Sequence, residues 1–390
     1  MEGTGGVQGS LGDVLLAAAG SVAADLQIDR GHSAVTGRAL ATSLGLPAAT
    51  RACVVIVDGL GLHNLRARSA QAPVLTDAKT LALRTGLPST TATNMTLLGT
   101  GLESGQTGML GYTVRNPGNG RLLNLISWAA GPDPLSWQQQ PTIFERFAQQ
   151  GLVSVSIGPW AFESSPLTQA ALRGAEYESA ESLPDRVNRT LQVLQEPDVT
   201  LTTMYWGEVD HTGHEFGWSG QRWAAELAAL DAELGRLQAG APAGTLLLVT
   251  ADHGMVDIPL GASQTFGGPA RFDVATDPRL AESVTLVAGE PRFVHVYTEP
   301  GAAADVARQW RLVLADRADV RTRDEAVRAG WFGPVESRYQ PVIGDVVAAM
   351  RGDVCVLDSR TQTEGSLRLI GMHGSRSPAE TTVPLVLLAH

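Results

Sequence analysis

A single lysine, Lys79, stands among 390 residues, and the 29 Lys and Arg together are outnumbered by 40 Asp and Glu, leaving a formal net charge of −11. Polyanion affinity needs clustered cations, so nucleic-acid polymers and anionic membranes are not expected as partners. The same field would repel a small anion at long range. Divalent cations held locally reverse that sign inside a site, so a small phosphate ester, a nucleotide included, stays open as substrate. Cysteine is nearly absent too: Cys53 and Cys355 both fall in apolar runs, where they read as small core residues and not as a disulfide. No uninterrupted apolar run reaches the roughly 18 to 20 residues of a membrane helix. The stretch from Val14 to Ala24 follows no basic residue and is broken by Gly20 and Ser21, which makes it a poor signal peptide. The expectation is a cytoplasmic protein.

Core material is plentiful, with 44% hydrophobic residues, enough for more than one minimal domain. Short apolar runs, from Cys53 to Val57, Val153 to Ile157, Thr200 to Tyr205, Leu246 to Thr250 and Val383 to Leu388, alternate with helical patterns. From Trp223 to Leu237, Ala and Leu recur at helical spacing with Glu226, Asp231, Glu233 and Arg236 left for a solvated face, as a crossover helix requires. The fold expected is α/β, with a mostly parallel central sheet sandwiched by helices. Ligands of such sheets sit beyond the carboxyl ends of the strands. The rhythm breaks between about 261 and 362. There, strand-like runs from Arg292 to Tyr297 and Val354 to Leu357 and helical patterns from Ala302 to Ala315 and Asp324 to Ala329 form a set of their own. We therefore expect a catalytic domain of residues 1–260 and 363–390, into which a small α+β cap, residues 261–362, is inserted.

Residues of metal-ligand type follow the apolar runs: Asp58, then Asp210 with His214, then Asp252 with His253, and finally His373. Asp210 and His214 are four apart, a separation that one helical turn converts into a common face. Adjacent Asp252 and His253 can both reach one ion only if they lie in a turn, since a strand would point them to opposite faces. Taken singly, Asp58 reads equally as a helix N-cap and each histidine as a hydrogen-bonded loop residue. Their recurrence at strand ends implies a shared site. A mixed nitrogen and oxygen set suits zinc, with manganese as the alternative. Between the first two groups lies a hydroxyl-rich stretch, Ser89-Thr90-Thr91-Ala92-Thr93-Asn94, which could supply a nucleophile or serve simply to cap a helix.

Five motifs, Val57-Asp58-Gly59, Pro88 to Asn94, Glu208 to His214, Ala251 to Met255 and Gly371 to Gly374, together resemble the alkaline phosphatase superfamily, and within it the nucleotide pyrophosphatase/phosphodiesterase family most closely. The resemblance implies an alkaline phosphatase-like α/β fold. It also implies a two-metal hydrolase of phosphodiesters or phosphoanhydrides that works through a covalent phospho-threonine. By position, Thr91 becomes the nucleophile, with Thr90 and Thr93 as rivals, and Asn94 holds a phosphoryl oxygen. Asp58, Thr91, Asp252 and His253 surround one Zn2+, while Asp210, His214 and His373 hold a second.

A monoesterase has an extra charge to neutralise, often with an arginine near the nucleophile, and none lies between Gly86 and Glu103. The C/S-x-P-x-R motif of the sulfatase branch is absent around Thr91. Phosphonoacetate hydrolases share the threonine and ligands but add lysine contacts, for which only Lys79 is available. They remain an alternative beside a phosphomonoesterase and a metal-binding relative without turnover. Thr107 and Met95 stand where many family members have histidine. Tyr112 and Trp160 read as either base-stacking or packing aromatics.

Overall fold

The protein is described by a computed structural model covering residues 6–129 and 131–389. Its centre is an eight-stranded sheet, in the edge-to-edge order Gly9–Ser10, Lys79–Arg84, Thr382–Ala389, Thr245–Thr250, Arg51–Val57, Val199–Trp206, Val153–Gly158 and Glu176–Ser179. Seven strands run parallel; Thr382–Ala389 is antiparallel to both its neighbours. In Arg51–Val57 every residue after Arg51 is buried, because helices cover both faces and no alternation of polar positions is needed. The crossover helix spans Gln221–Gly240 and turns Trp223, Leu227, Leu230, Leu234 and Leu237 inward. The expected mostly parallel sheet is therefore present, with Lys79–Arg84 as a strand that its terminal cations concealed.

The segment that breaks the sequence rhythm folds as a four-stranded antiparallel sheet in the order Val284–Glu290, Phe293–Thr298, Val346–Met350 and Ala318–Thr322, backed by the helix Ala303–Leu314. Of these four strands the sequence pattern marks only Phe293–Thr298, and it also marks the helix, expected from Ala302 to Ala315. The run expected at Val354 to Leu357 forms the short strand Cys355–Leu357 but pairs with Arg271–Asp273 in a separate ribbon. A second apolar core joins Ala92, Met109, Leu110 and Val114 of the main domain to Phe293, Phe332, Val347 and Ala349. The antiparallel sheet is thus seated directly over the Thr91 helix. Among the described residues, no helix is long and apolar enough to cross a membrane.

Candidate metal and catalytic site

Parallel strands place their carboxyl ends along one edge, and the motif residues emerge there. Asp58 follows Val57, and its N–H donates to the Trp206 carbonyl at 2.9 Å, so the strands stay paired until the carboxylate departs. Gly59 adopts φ +74°, and a Cβ there would stand 2.9 Å from Asp210 atoms, so only glycine lets this turn press against Asp210. Two residues past Thr250, Asp252 accepts the N–H groups of Gly59 and His253 at 3.1 and 3.0 Å. Asp210 and His214 share a face of the helix Glu208–Phe216, with His214 Nε2 3.2 Å from Asp210 Oδ2. His373 arrives from the other direction. Because Thr382–Ala389 is antiparallel, the segment leading into it approaches this same edge.

Each histidine has its Nδ1 beside a main-chain carbonyl: His214 at Gly371 (2.7 Å), His253 at Gly254 (3.1 Å) and His373 at Ser89 (3.0 Å). A carbonyl only accepts, so each Nδ1 carries the proton and each Nε2 is left facing the cluster. There His253 Nε2 lies 3.3 Å from Asp58 Oδ1 and 3.5 Å from Asp252 Oδ2, and His373 Nε2 lies 3.3 Å from His214 Nε2. Three buried carboxylate oxygens, Asp58 Oδ1, Asp210 Oδ1 and Asp252 Oδ2, have no hydrogen-bond partner. Converging imidazole nitrogens and orphaned carboxylate oxygens are the donor set a divalent cation satisfies, so the residues fit a metal. Two compact groups stand out, Asp58 with Asp210 and His253, and Asp210 with His214 and His373. Asp210 belongs to both.

The hydroxyl-rich stretch sorts itself by partner. Ser89 donates to the Ser375 carbonyl, Thr90 to Glu290 and Thr93 to the Met109 carbonyl, each at 2.7 Å. Thr91, the first residue of the helix Thr91–Thr100, instead turns its hydroxyl into the cluster, 3.4 Å from Asp58 Oδ2 and 3.3 Å from His253 Nε2. Asn94 is not brought to the group. One turn further along that helix, it is fully buried and accepts the Gly86 N–H at 2.8 Å, behind the wall of the cavity. Its Oδ1 thereby braces the turn before Thr91, while its buried Nδ2 has no hydrogen-bond partner among the described residues.

A cavity of about 500 Å³ opens onto Thr91, Asp210, His214 and His373. Tyr112 lines it and Trp160 does not; Trp160 is exposed elsewhere. Two residues not foreseen adjoin the cluster. Tyr205 donates its hydroxyl to Asp58 Oδ2 and was hidden within an apolar strand. Glu290 accepts from the Thr90 hydroxyl and the Tyr112 N–H at 2.7 and 2.8 Å, and burial pushes it up to about 7. A lone acid between apolar runs, followed by proline, was its only signal. Lys79 begins its strand at the far edge, with Nζ 3.5 Å from the Gly45 carbonyl.

Comparison with known proteins bears on the family and the fold. The family model described as Type I phosphodiesterase / nucleotide pyrophosphatase matches residues 52–376. Ectonucleotide pyrophosphatase/phosphodiesterase family member 7 of Mus musculus is 28% identical over 126 residues, and the match spans 30% of this chain and 29% of that relative. A murine ectonucleotide pyrophosphatase/phosphodiesterase 5, solved as an inactive Thr-to-Ala variant in complex with AMP, superposes with a TM-score of 0.66 at 17% identity, covering 86% of this chain and 87% of that one. Phosphonoacetate hydrolase from Sinorhizobium meliloti 1021, solved with phosphonoformate, gives a TM-score of 0.68 at 16% identity and covers 94% of each chain. Both structures share the α/β fold with its large, mostly parallel sheet.

Proposed function

The chain belongs to the type I phosphodiesterase / nucleotide pyrophosphatase family of phosphate-ester hydrolases, and from that premise we propose a divalent-metal phosphodiesterase that cleaves a phosphodiester or phosphoanhydride through a covalent phospho-threonine at Thr91. One observation carries this reading. Of the four hydroxyls from Ser89 to Thr93, only that of Thr91 is turned toward Asp58 and His253.

Asp58, Thr91, Asp252 and His253 would hold one ion and Asp210, His214 and His373 another, with Asp210 near enough to serve both groups. Bound zinc or manganese would lower the pKa of the threonine hydroxyl and of water and offset charge on the phosphoryl oxygens. The remaining work falls to the chain. Thr91 begins its helix, so the first N–H groups point at an incoming phosphoryl oxygen. Asp58 Oδ2 and His253 Nε2 are the acceptors within reach of the hydroxyl proton. Attack by Oγ1 expels the leaving oxygen into the cavity, and a water entering from the cavity then frees Thr91. Two inversions give net retention at phosphorus.

The inactive Thr-to-Ala relative bound to AMP supports a threonine nucleophile and a nucleoside monophosphoryl group as one half of a diester substrate. A phosphonoacetate hydrolase reading is disfavoured by Lys79, which lies at the wrong end of its strand for substrate contact. A relative without turnover is disfavoured by the complete ligand set. The inserted residues 261–362 act in this reading as a cap that shapes specificity. The buried free thiols of Cys53 and Cys355 support a reducing, cytoplasmic setting.

The test compares bis-p-nitrophenyl phosphate with p-nitrophenyl phosphate. The diester should be preferred, a chelator should abolish turnover, and zinc or manganese should restore it. Thr91→Ala should lower kcat/KM by roughly 10³-fold or more. Chelator-insensitive turnover, or a preference for the monoester, would sink the reading.

A further inference from the structure

Resting on the phosphodiesterase reading, we propose that Glu290 is a specificity-determining residue: with the cavity it lines, whose walls away from the metal ligands lack Lys and Arg among the described residues, it selects a singly charged phosphodiester whose leaving group is uncharged and apolar, and rejects phosphomonoesters and nucleoside polyphosphates.

Glu290 ends the strand Val284–Glu290 of the antiparallel sheet and lines the cavity while remaining 7% exposed. Its Oε1 receives two donors, the Thr90 hydroxyl and the Tyr112 N–H, so the group sits as an acceptor. Among the described residues its other oxygen receives no hydrogen bond and no cation pairs with it. Thr90 immediately precedes Thr91, so this carboxylate stands about one side chain from the phosphoryl position. A second negative charge on phosphorus would meet it in a poorly solvated place, where like-charge repulsion is strong. A diester carries one charge and suffers least.

The rest of the cavity has the same bias. Its walls include Leu122, Ile126, Val287, Val356 and Met372, and among the described residues that line it none is Lys or Arg. Nearby guanidinium groups are committed. Arg292 is fully buried in a bidentate pair with Glu380 at 2.7 and 2.8 Å, and Arg360 is bound to Asp358 at 2.6 Å. Beyond the metal ligands a polyphosphate tail would find no lysine or arginine on these walls, whereas an alkyl or aryl group would find contact surface.

Glu290→Gln keeps an oxygen for the Thr90 and Tyr112 donors and removes the charge. With zinc-loaded protein above neutral pH, kcat/KM is to be measured for bis-p-nitrophenyl phosphate, p-nitrophenyl phosphate and ATP. Wild type should favour the aryl diester over both others, and Glu290→Gln should raise the monoester-to-diester ratio roughly 10- to 100-fold. Leu122→Arg, at a position 40% exposed, should raise kcat/KM for ATP about 10-fold or more without that change in ratio. An unchanged ratio in Glu290→Gln, or wild-type turnover of ATP equal to that of the diester, overturns the proposal while leaving the phosphodiesterase reading intact. Absence of turnover on every ester by zinc-loaded wild type overturns that reading and this inference together.

Discussion

The two halves of the candidate site use the same residue types and differ in what surrounds them. Asp58, Asp252 and His253 form a floor, with side chains 5%, 0% and 0% exposed, whereas Asp210 and His214 face the cavity at 15% and 26%. In the floor, burial holds Asp58 well above the usual carboxylate range, and repulsion from Asp252 and Asp210 adds to it; burial likewise raises Asp252 in spite of His253. In the open half burial pushes Asp210 the same way, but the facing His214 outweighs it and Asp210 falls below its ordinary value. Asp210 in turn overcomes burial to hold His214 up to about 9. The open half therefore balances its own charge, while the floor carries anionic charge that the protein leaves unmatched. A cation is needed most for stability in the floor, and the open half has room for water or a departing group.

The largest expected effect comes from the scaffold of the open half. Arg292 and Glu380 form a fully buried ion pair, and Glu380 also accepts the Ser375 N–H at 2.9 Å while its main-chain carbonyl accepts the Gly254 N–H at 2.9 Å. This group ties the His373 segment to the antiparallel sheet and to the turn after His253. Glu380→Ala strands a buried guanidinium and should cost about 3–5 kcal/mol of unfolding free energy. If the halves are as independent as their surroundings imply, zinc titration of this variant should lose the weaker binding step and keep the tighter one. An unfolding free energy within about 1 kcal/mol of wild type, or equal loss of both steps, would break the comparison.

Metal removal tests the floor. Asp58 and Asp252 have raised folded-state pKa values, so in the metal-free protein their contribution is fully present below the unfolded value of about 3.8 and is lost as pH rises through the folded values. The contribution of His214 is likewise present below about 6.5 and lost as pH rises through about 9. Metal-free protein should consequently lose thermal stability as pH rises from about 6.5 to about 9, and zinc at roughly 100 times its Kd should restore about 2.7 kcal/mol per site. Zinc binding also requires unprotonated ligands, so the increment in Tm should be larger at about pH 8 than at about pH 5.5. An increment that is equal or larger at the acid pH contradicts an anionic floor.

The floor was more legible in the sequence than its surroundings. Asp58, Asp252 and His253 follow long buried strands, whose apolar runs mark their own ends. The i, i+4 spacing likewise announced Asp210 and His214 on one helical face. For Asn94 the register along the chain does not fix which way each end of the amide turns; here the Gly86 N–H occupies its oxygen and its Nδ2 has no hydrogen-bond partner among the described residues. Glu290 and Tyr205 were hidden because their roles depend on contacts 200 and 147 residues away. The antiparallel sheet escaped for a related reason. Its strands Val284–Glu290 and Ala318–Thr322 are only partly buried, mix charged and apolar residues, and are defined by pairing across long separations.

The smallest effect is also the sharpest test, because the two halves predict opposite signs. Asp58→Asn removes a buried charge that burial and two neighbouring carboxylates disfavour, and the amide can still accept the Tyr205 hydroxyl. Metal-free Asp58→Asn should therefore be more stable than metal-free wild type near neutral pH, by about 1–2 kcal/mol. Asp210→Asn removes a charge that His214 favours and leaves a partly buried imidazolium without its counter-ion, so metal-free Asp210→Asn should be less stable by a similar amount. With zinc bound the contrast should vanish, since both variants then lose a ligand and both fall below wild type. Matched thermal melts of the three metal-free proteins read the signs directly. Destabilisation by both substitutions without metal would mean that the floor is neutralised by the protein itself, and that the two halves differ in depth but not in charge.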